Sequence, residues 1–140
     1  MAKLGLELVS ENECGQVYWN TDLLCVEIAG KRYADSAQYR AMLERALQLL
    51  KDRRAKKLLA DTATMGVTMS AEDMVWTEMD WFPRCLKVGL KYFAMVMPKA
   101  LGAHMTVDKF SQKFDPDSSG FLRRFFTDAA EAKEWLRKAP

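Results

Sequence analysis

KKLLAD, residues 56–61, followed by TATMGVTMSAED, residues 62–73, is the stretch on which the fold turns. Leu58, Leu59 and Ala60 make a short apolar run of strand length, so KKLLAD reads as a buried strand ending at Asp61. Upstream, ADSAQYRAMLERALQLLKD (34–52) places Tyr39, Met42 or Leu43, Ala46, Leu49 and Leu50 at helical spacing, with Asp35 or Ser36 able to cap its start. Downstream, 62–69 reads as a loop, and Ser70-Ala71-Glu72-Asp73 has capping-box form ahead of a second helix through MVWTEMDWF. Pro83 should end or kink that helix, because its ring removes a donor and crowds the preceding turn.

The pattern repeats outward. GLKYFAMVMP (89–98) is a strand stopped by Pro98, KALGAHMTVDKFSQKF (99–114) is helical in its second half, and GFLRRFF (120–126) is a strand. Thr127 or Asp128 caps a last helix, AAEAKEWLRK. Before residue 31, LGLELVS, GQVYWN and LLCVEIAG are separated by turn residues and read as an antiparallel meander or hairpin. Strands alternating with helices need crossover connections, which build parallel pairs. The expectation is a single α/β domain over 1–140, with a mixed, largely parallel sheet and helices packed on it.

Composition excludes several classes. The 140 residues are 49% hydrophobic and 29% charged, with a net charge of +2 from 21 basic and 19 acidic side chains, too even for nucleic acid to be the expected partner. No apolar run reaches membrane-spanning length, and the N-terminus becomes charged too early for a secretory signal. Cys14, Cys25 and Cys85 are odd in number and widely spaced, so reduced thiols and a cytoplasmic location are expected. The basic run KDRRAKK (51–57) reads as a solvated helix end whose cations complement the carbonyl dipoles.

Catalytic constellations are missing. His104 is the one histidine, no nucleophile motif accompanies it, and the glycines form neither a P-loop nor a dinucleotide fingerprint. Histidines and cysteines do not cluster at ligand spacing, so neither metal nor cofactor is expected. Glu72 and Asp73 are acids at a helix start, where the dipole favours them. Asp61, at the carboxyl end of a buried strand, could be a receiver-type phosphoacceptor. The strand ending Ala29-Gly30-Lys31 lacks the further carboxylates that Mg²⁺ would need, and an Asp that shapes its own turn is the favoured reading.

The segment after Ser70 is unusually apolar. At α-helical spacing Val75, Met79 and Phe82 share one face, Met74, Trp81 and Cys85 form a neighbouring stripe, and Trp76 points elsewhere with Asp80. Core packing explains most of these. Met74, Trp76, Trp81 and Phe82 are nevertheless the candidate surface for a protein partner, or the wall of a pocket for an apolar small molecule.

KKLLAD with its loop, the W-x-x-x-D-W-x-P-R helix, GLKYFAMVMPK and the ending FFTDAAEAKEWL resemble the SpoIIAA-like family of STAS-like proteins over about residues 58–136. The resemblance implies a non-catalytic regulatory module that binds proteins, as a homodimer or with an anti-sigma-factor type of partner. A related layout in CRAL-TRIO-type carriers implies lipid-like ligands as the alternative. In the antagonists a phosphorylated serine sits in an Asp-Ser-Ser-Gly loop after the central strand. The matching loop here is Asp61-Thr62-Ala63-Thr64-Met65-Gly66, with Ala63 at the phosphorylated position, so Asp61, Thr62, Thr64 and Gly66 are the candidate switch loop. The letters Asp-Ser-Ser-Gly recur in FDPDSSGF (114–121), but Ser118 and Ser119 precede a strand instead of following one.

Overall fold

The structure is a computed structural model, and it describes residues 5–63, 70–97 and 122–140. Six strands form one sheet in sequential order: β1 Leu6–Asn12, β2 Gly15–Asn20, β3 Cys25–Gly30, β4 Lys57–Asp61, β5 Tyr92–Val96 and β6 Leu122–Phe126. β1 to β3 are an antiparallel meander, and β3 to β6 are parallel. The mixed, largely parallel sheet is therefore as expected. Gly15 is required by close approach, since a Cβ there would lie 2.3 Å from the Ala29 carbonyl oxygen across the β2–β3 pair.

Helix α1, Ser36–Arg53, joins β3 to β4, and Asp35 caps it by accepting the Gln38 N–H. A second helical run joins β4 to β5 in three parts: α2 Ala71–Trp76, a π-helical turn Thr77–Trp81, and α3 Phe82–Lys87. Helix α4, Ala129–Lys138, follows β6, with Asp128 accepting the Ala130 N–H.

The period-two alternation of the strands divides the core between the faces. Leu58, Ala60, Val26, Ile28 and Phe93 pack under α1, Trp81, Phe82 and Cys85. Leu59, Cys25, Ala94 and Val96 pack under Ala132 and Leu136 of α4. Leu58, Leu59 and Ala60 run apolar without alternation because β4 is covered on both sides.

Pro83 does not end its helix, and the reason also overturns the face assignments made from spacing. In the π turn the Phe82 N–H reaches back five residues to the Thr77 carbonyl, which inserts one residue into the helical count. Pro83 then falls in the first turn of α3, where no N–H is needed. Residues beyond the turn are rotated by about one residue, roughly 100°, relative to uninterrupted α spacing. Asp73 therefore shares the core side with Trp81, Phe82 and Cys85, while Val75 (60% exposed) and Met79 (71% exposed) face outwards. The expected Val75–Met79–Phe82 face does not exist, and Met74 leaves the stripe with Trp81 and Cys85.

Candidate functional site

The expected switch loop begins at the carboxyl end of β4. Asp61 accepts the Ala63 N–H at 3.1 Å, shaping its own turn. The Thr62 N–H and hydroxyl both donate to the Val96 carbonyl, at 2.9 and 2.7 Å, so the hydroxyl is turned to the sheet end. Thr64 and Gly66 lie outside the described residues, as do Met65, His104 and the Ser118–Ser119 pair.

Behind Thr62, a cavity of about 60 Å³ lies between the sheet and the second helical run. Ile28, Ala60, Phe93 and Met95 form its floor, α1 contributes Tyr39, Met42 and Leu43, and the π turn and α3 contribute Thr77, Glu78, Trp81 and Phe82. Glu78 and Arg123 form an ion pair at one wall, with Nη1 3.2 and 3.3 Å from the two carboxylate oxygens and side chains only 12% and 6% exposed. Burial pulls the Arg123 guanidinium below its ordinary value, against the Glu78 carboxylate, and the Phe82 ring lies 4.9 Å beneath it. Burial raises the Tyr39 phenol, which stays neutral. Because the Thr77 hydroxyl donates to the Asp73 carbonyl at 2.7 Å, the Tyr39 hydroxyl donates to Thr77, at 2.8 Å.

Asp73 is the feature that sequence reasoning passed over. Ser70 accepts the Asp73 N–H at 3.1 Å, as the capping pattern requires, but the acid does more than neutralise a dipole. Its fully buried carboxylate accepts from the Tyr33 hydroxyl at 2.6 Å, the Ser36 hydroxyl at 2.8 Å and Arg40 Nε at 2.7 Å. These bonds clamp the start of α2 to the β3–α1 connection and to α1. Burial pushes the carboxyl up, yet the bonds from Tyr33, Arg40 and Ser36 and the Arg40 charge outweigh it and hold the group below the usual carboxylate range. Tyr33, Ser36 and Arg40 lie more than thirty residues away in sequence, and spacing along one helix carries no signal of them.

The candidate partner surface divides. Trp81 and Phe82 are buried, and Trp81 Nε1 donates to the Leu43 carbonyl at 2.7 Å, so both belong to the core and the cavity wall and not to an outer surface. Trp76 is half-buried, with Arg40 4.9 Å and Arg84 6.0 Å from its ring. Met74 is 37% exposed, less than Val75 and Met79. The large apolar side chains exposed on this helical run are Met74, Val75 and Met79.

All three cysteines are buried and unpaired, and burial pushes the Cys25 thiol up to about 12. No described helix is long and apolar enough to cross a membrane. Comparison with family models, curated proteins and solved structures finds no match to this chain.

Proposed function

We propose that the chain is a non-catalytic binding module that acts through protein–protein contacts in a reducing, cytoplasmic setting, with self-association as its first expected contact. The observation that carries this is the outward face of Met74, Val75 and Met79, large apolar side chains left exposed while a carboxylate on the same helical run is buried. Large apolar side chains exposed along one helical run are the kind that proteins cover on association. The resemblance to the SpoIIAA-like family supports the same reading and adds an anti-sigma-factor type of protein as a further partner class.

Light scattering across a concentration series tests it. A dimer is expected, and Val75→Asp with Met79→Asp should dissociate it without altering the circular dichroism. A wild-type chain that stays monomeric at every concentration would refute the self-association.

The cavity favours a second reading, a site for an apolar small molecule. The cavity, about 60 Å³, is enough for a small apolar probe. Xenon is a suitable probe: binding seen by ¹²⁹Xe NMR and abolished by the cavity-filling Ala60→Leu is expected. Absence of xenon binding by the wild-type chain would remove this reading.

A further inference from the structure

The amino ends of the parallel strands and the carboxyl ends of α1 and α4 meet at one pole of the molecule, and that pole is basic. α1 ends with Lys51 and Arg53, and its left-handed cap is Arg54. Lys56 and Lys57 lead into β4, and Lys91, whose N–H donates to the Lys56 carbonyl at 2.8 Å, leads into β5. α4 adds Arg137 and Lys138, and it is tied to this end by the Lys57 ammonium, which donates to the Leu136 carbonyl at 2.6 Å.

Carboxylates answer only part of this charge. Glu7 lies 3.6 Å from Arg53, and Arg137 has Asp22 at 3.0 Å and Glu134 at 3.5 Å. Helix dipoles account for cations in the last turns, Lys51, Arg53, Arg137 and Lys138. They do not account for Arg54, Lys56 and Lys91, which are exposed and have no ion-pair partner among the described residues. The chain as a whole carries only +2, so the pole is a polarisation of charge and not general basicity.

An apolar element stands within it. An open groove of about 280 Å³ has buried Trp19, Leu23 and Ala55 as its floor, Arg53, Arg54, Lys56 and Lys57 around it and Pro140 at its edge. Leu24 completes the wall, 62% exposed at the tip of the β2–β3 turn. Its φ of 54° is in the left-handed region, where glycine or asparagine is the ordinary residue and an aliphatic side chain is uncommon.

The geometry points to peripheral docking of this pole on an anionic lipid surface, with the cations at the headgroups and Leu24 entering the apolar layer beneath them. Cations and one aliphatic side chain are the two kinds of attraction that a bilayer interface rewards together. A nucleic acid would use the cations and leave the exposed leucine without a role. The docking pole shares no residue with the Met74–Val75–Met79 face, so it stands apart from the proposed protein contact.

Co-sedimentation with phosphatidylcholine vesicles, with and without phosphatidylglycerol, tests the proposal on the full chain. Binding only to the anionic vesicles is expected, weakening as salt rises. Each basic residue near such a surface favours binding by roughly five-fold, so Arg54→Glu with Lys56→Glu should lower the partition coefficient by more than about tenfold. Leu24→Gly should lower it several-fold while leaving thermal stability equal or higher, because glycine takes the left-handed conformation without strain. Equal binding to both vesicle types, no binding at low salt, or wild-type binding by the charge-reversed variant would overturn the proposal. Retention on duplex DNA or an acidic protein without vesicle binding would also overturn it and assign the pole to that polyanion.

Discussion

Replacing Asp73 by alanine removes the acceptor on which Tyr33, Ser36 and Arg40 converge. A hydrogen bond to a charged group contributes roughly 1.5–3 kcal/mol when buried. Ser36 is exposed and can turn to water, so its share falls below that range. Arg40 is 39% exposed, which screens its pairing towards the ~0–1 kcal/mol of surface ion pairs. Tyr33 is half-buried and loses most. The expected loss is about 3 kcal/mol for Asp73→Ala and about half that for Asp73→Asn, whose amide oxygen keeps one acceptor.

Urea unfolding followed by tryptophan fluorescence reads this directly. The acid dependence adds a signature. The carboxyl is held below its ordinary value in the folded chain, so its contribution is present above about pH 4 and is lost as pH falls through the lower folded-state value. The stability gap between wild type and Asp73→Asn should therefore be flat from about pH 5 to 8 and close in stronger acid. An Asp73→Ala midpoint within about 0.5 kcal/mol of wild type, or a gap that widens in acid, would refute the clamp.

Trp81→Phe should destabilise by about 1–3 kcal/mol, since it shrinks a buried ring and deletes the bond to Leu43; thermal melts give the value. Gly15→Ala should be among the most damaging single changes, visible as loss of soluble folded protein, because the Cβ would meet backbone at 2.3 Å. Buried thiols, Cys25 with its value pushed up to about 12 among them, should leave the native protein unreactive to a disulfide reagent at mildly alkaline pH and fully reactive once unfolded. Thr62→Val should cost about 1 kcal/mol or less in chemical unfolding, because the Val96 carbonyl keeps the Thr62 N–H when the hydroxyl is lost.

The strands, three of the helix starts and the order of the described elements were legible because they rest on local signals; the helix expected at 99–114 lies outside the described residues. Asp35, Ser70 and Asp128 cap as their positions require. The antiparallel entry and the parallel β3–β4–β5 continuation follow from connection lengths, tight turns for one and helical crossovers for the other. Asp61 as a turn former was equally local, since its bond to Ala63 spans two residues. The helical run after Ser70 was misread beyond Thr77, because α spacing assumes an uninterrupted count and one π turn shifts every later residue. Trp81 and Phe82, candidates for a partner surface or a pocket wall, lie in the core and line the cavity, and Met79 is separated from Phe82 and exposed.

By itself the sequence determined what short-range chemistry determines: which residues cap, turn, alternate or run apolar, and hence the class of sheet. Tertiary structure decided what depends on meetings across the chain. Asp73 looked like any helix-opening acid until Tyr33, Ser36 and Arg40 closed around it, and the cations of two helix ends and two strand starts became one pole only when the sheet aligned them. A carboxylate's or a cation's role is set by its neighbours in space, and burial and charge convergence are sums over contacts that no single stretch of sequence contains.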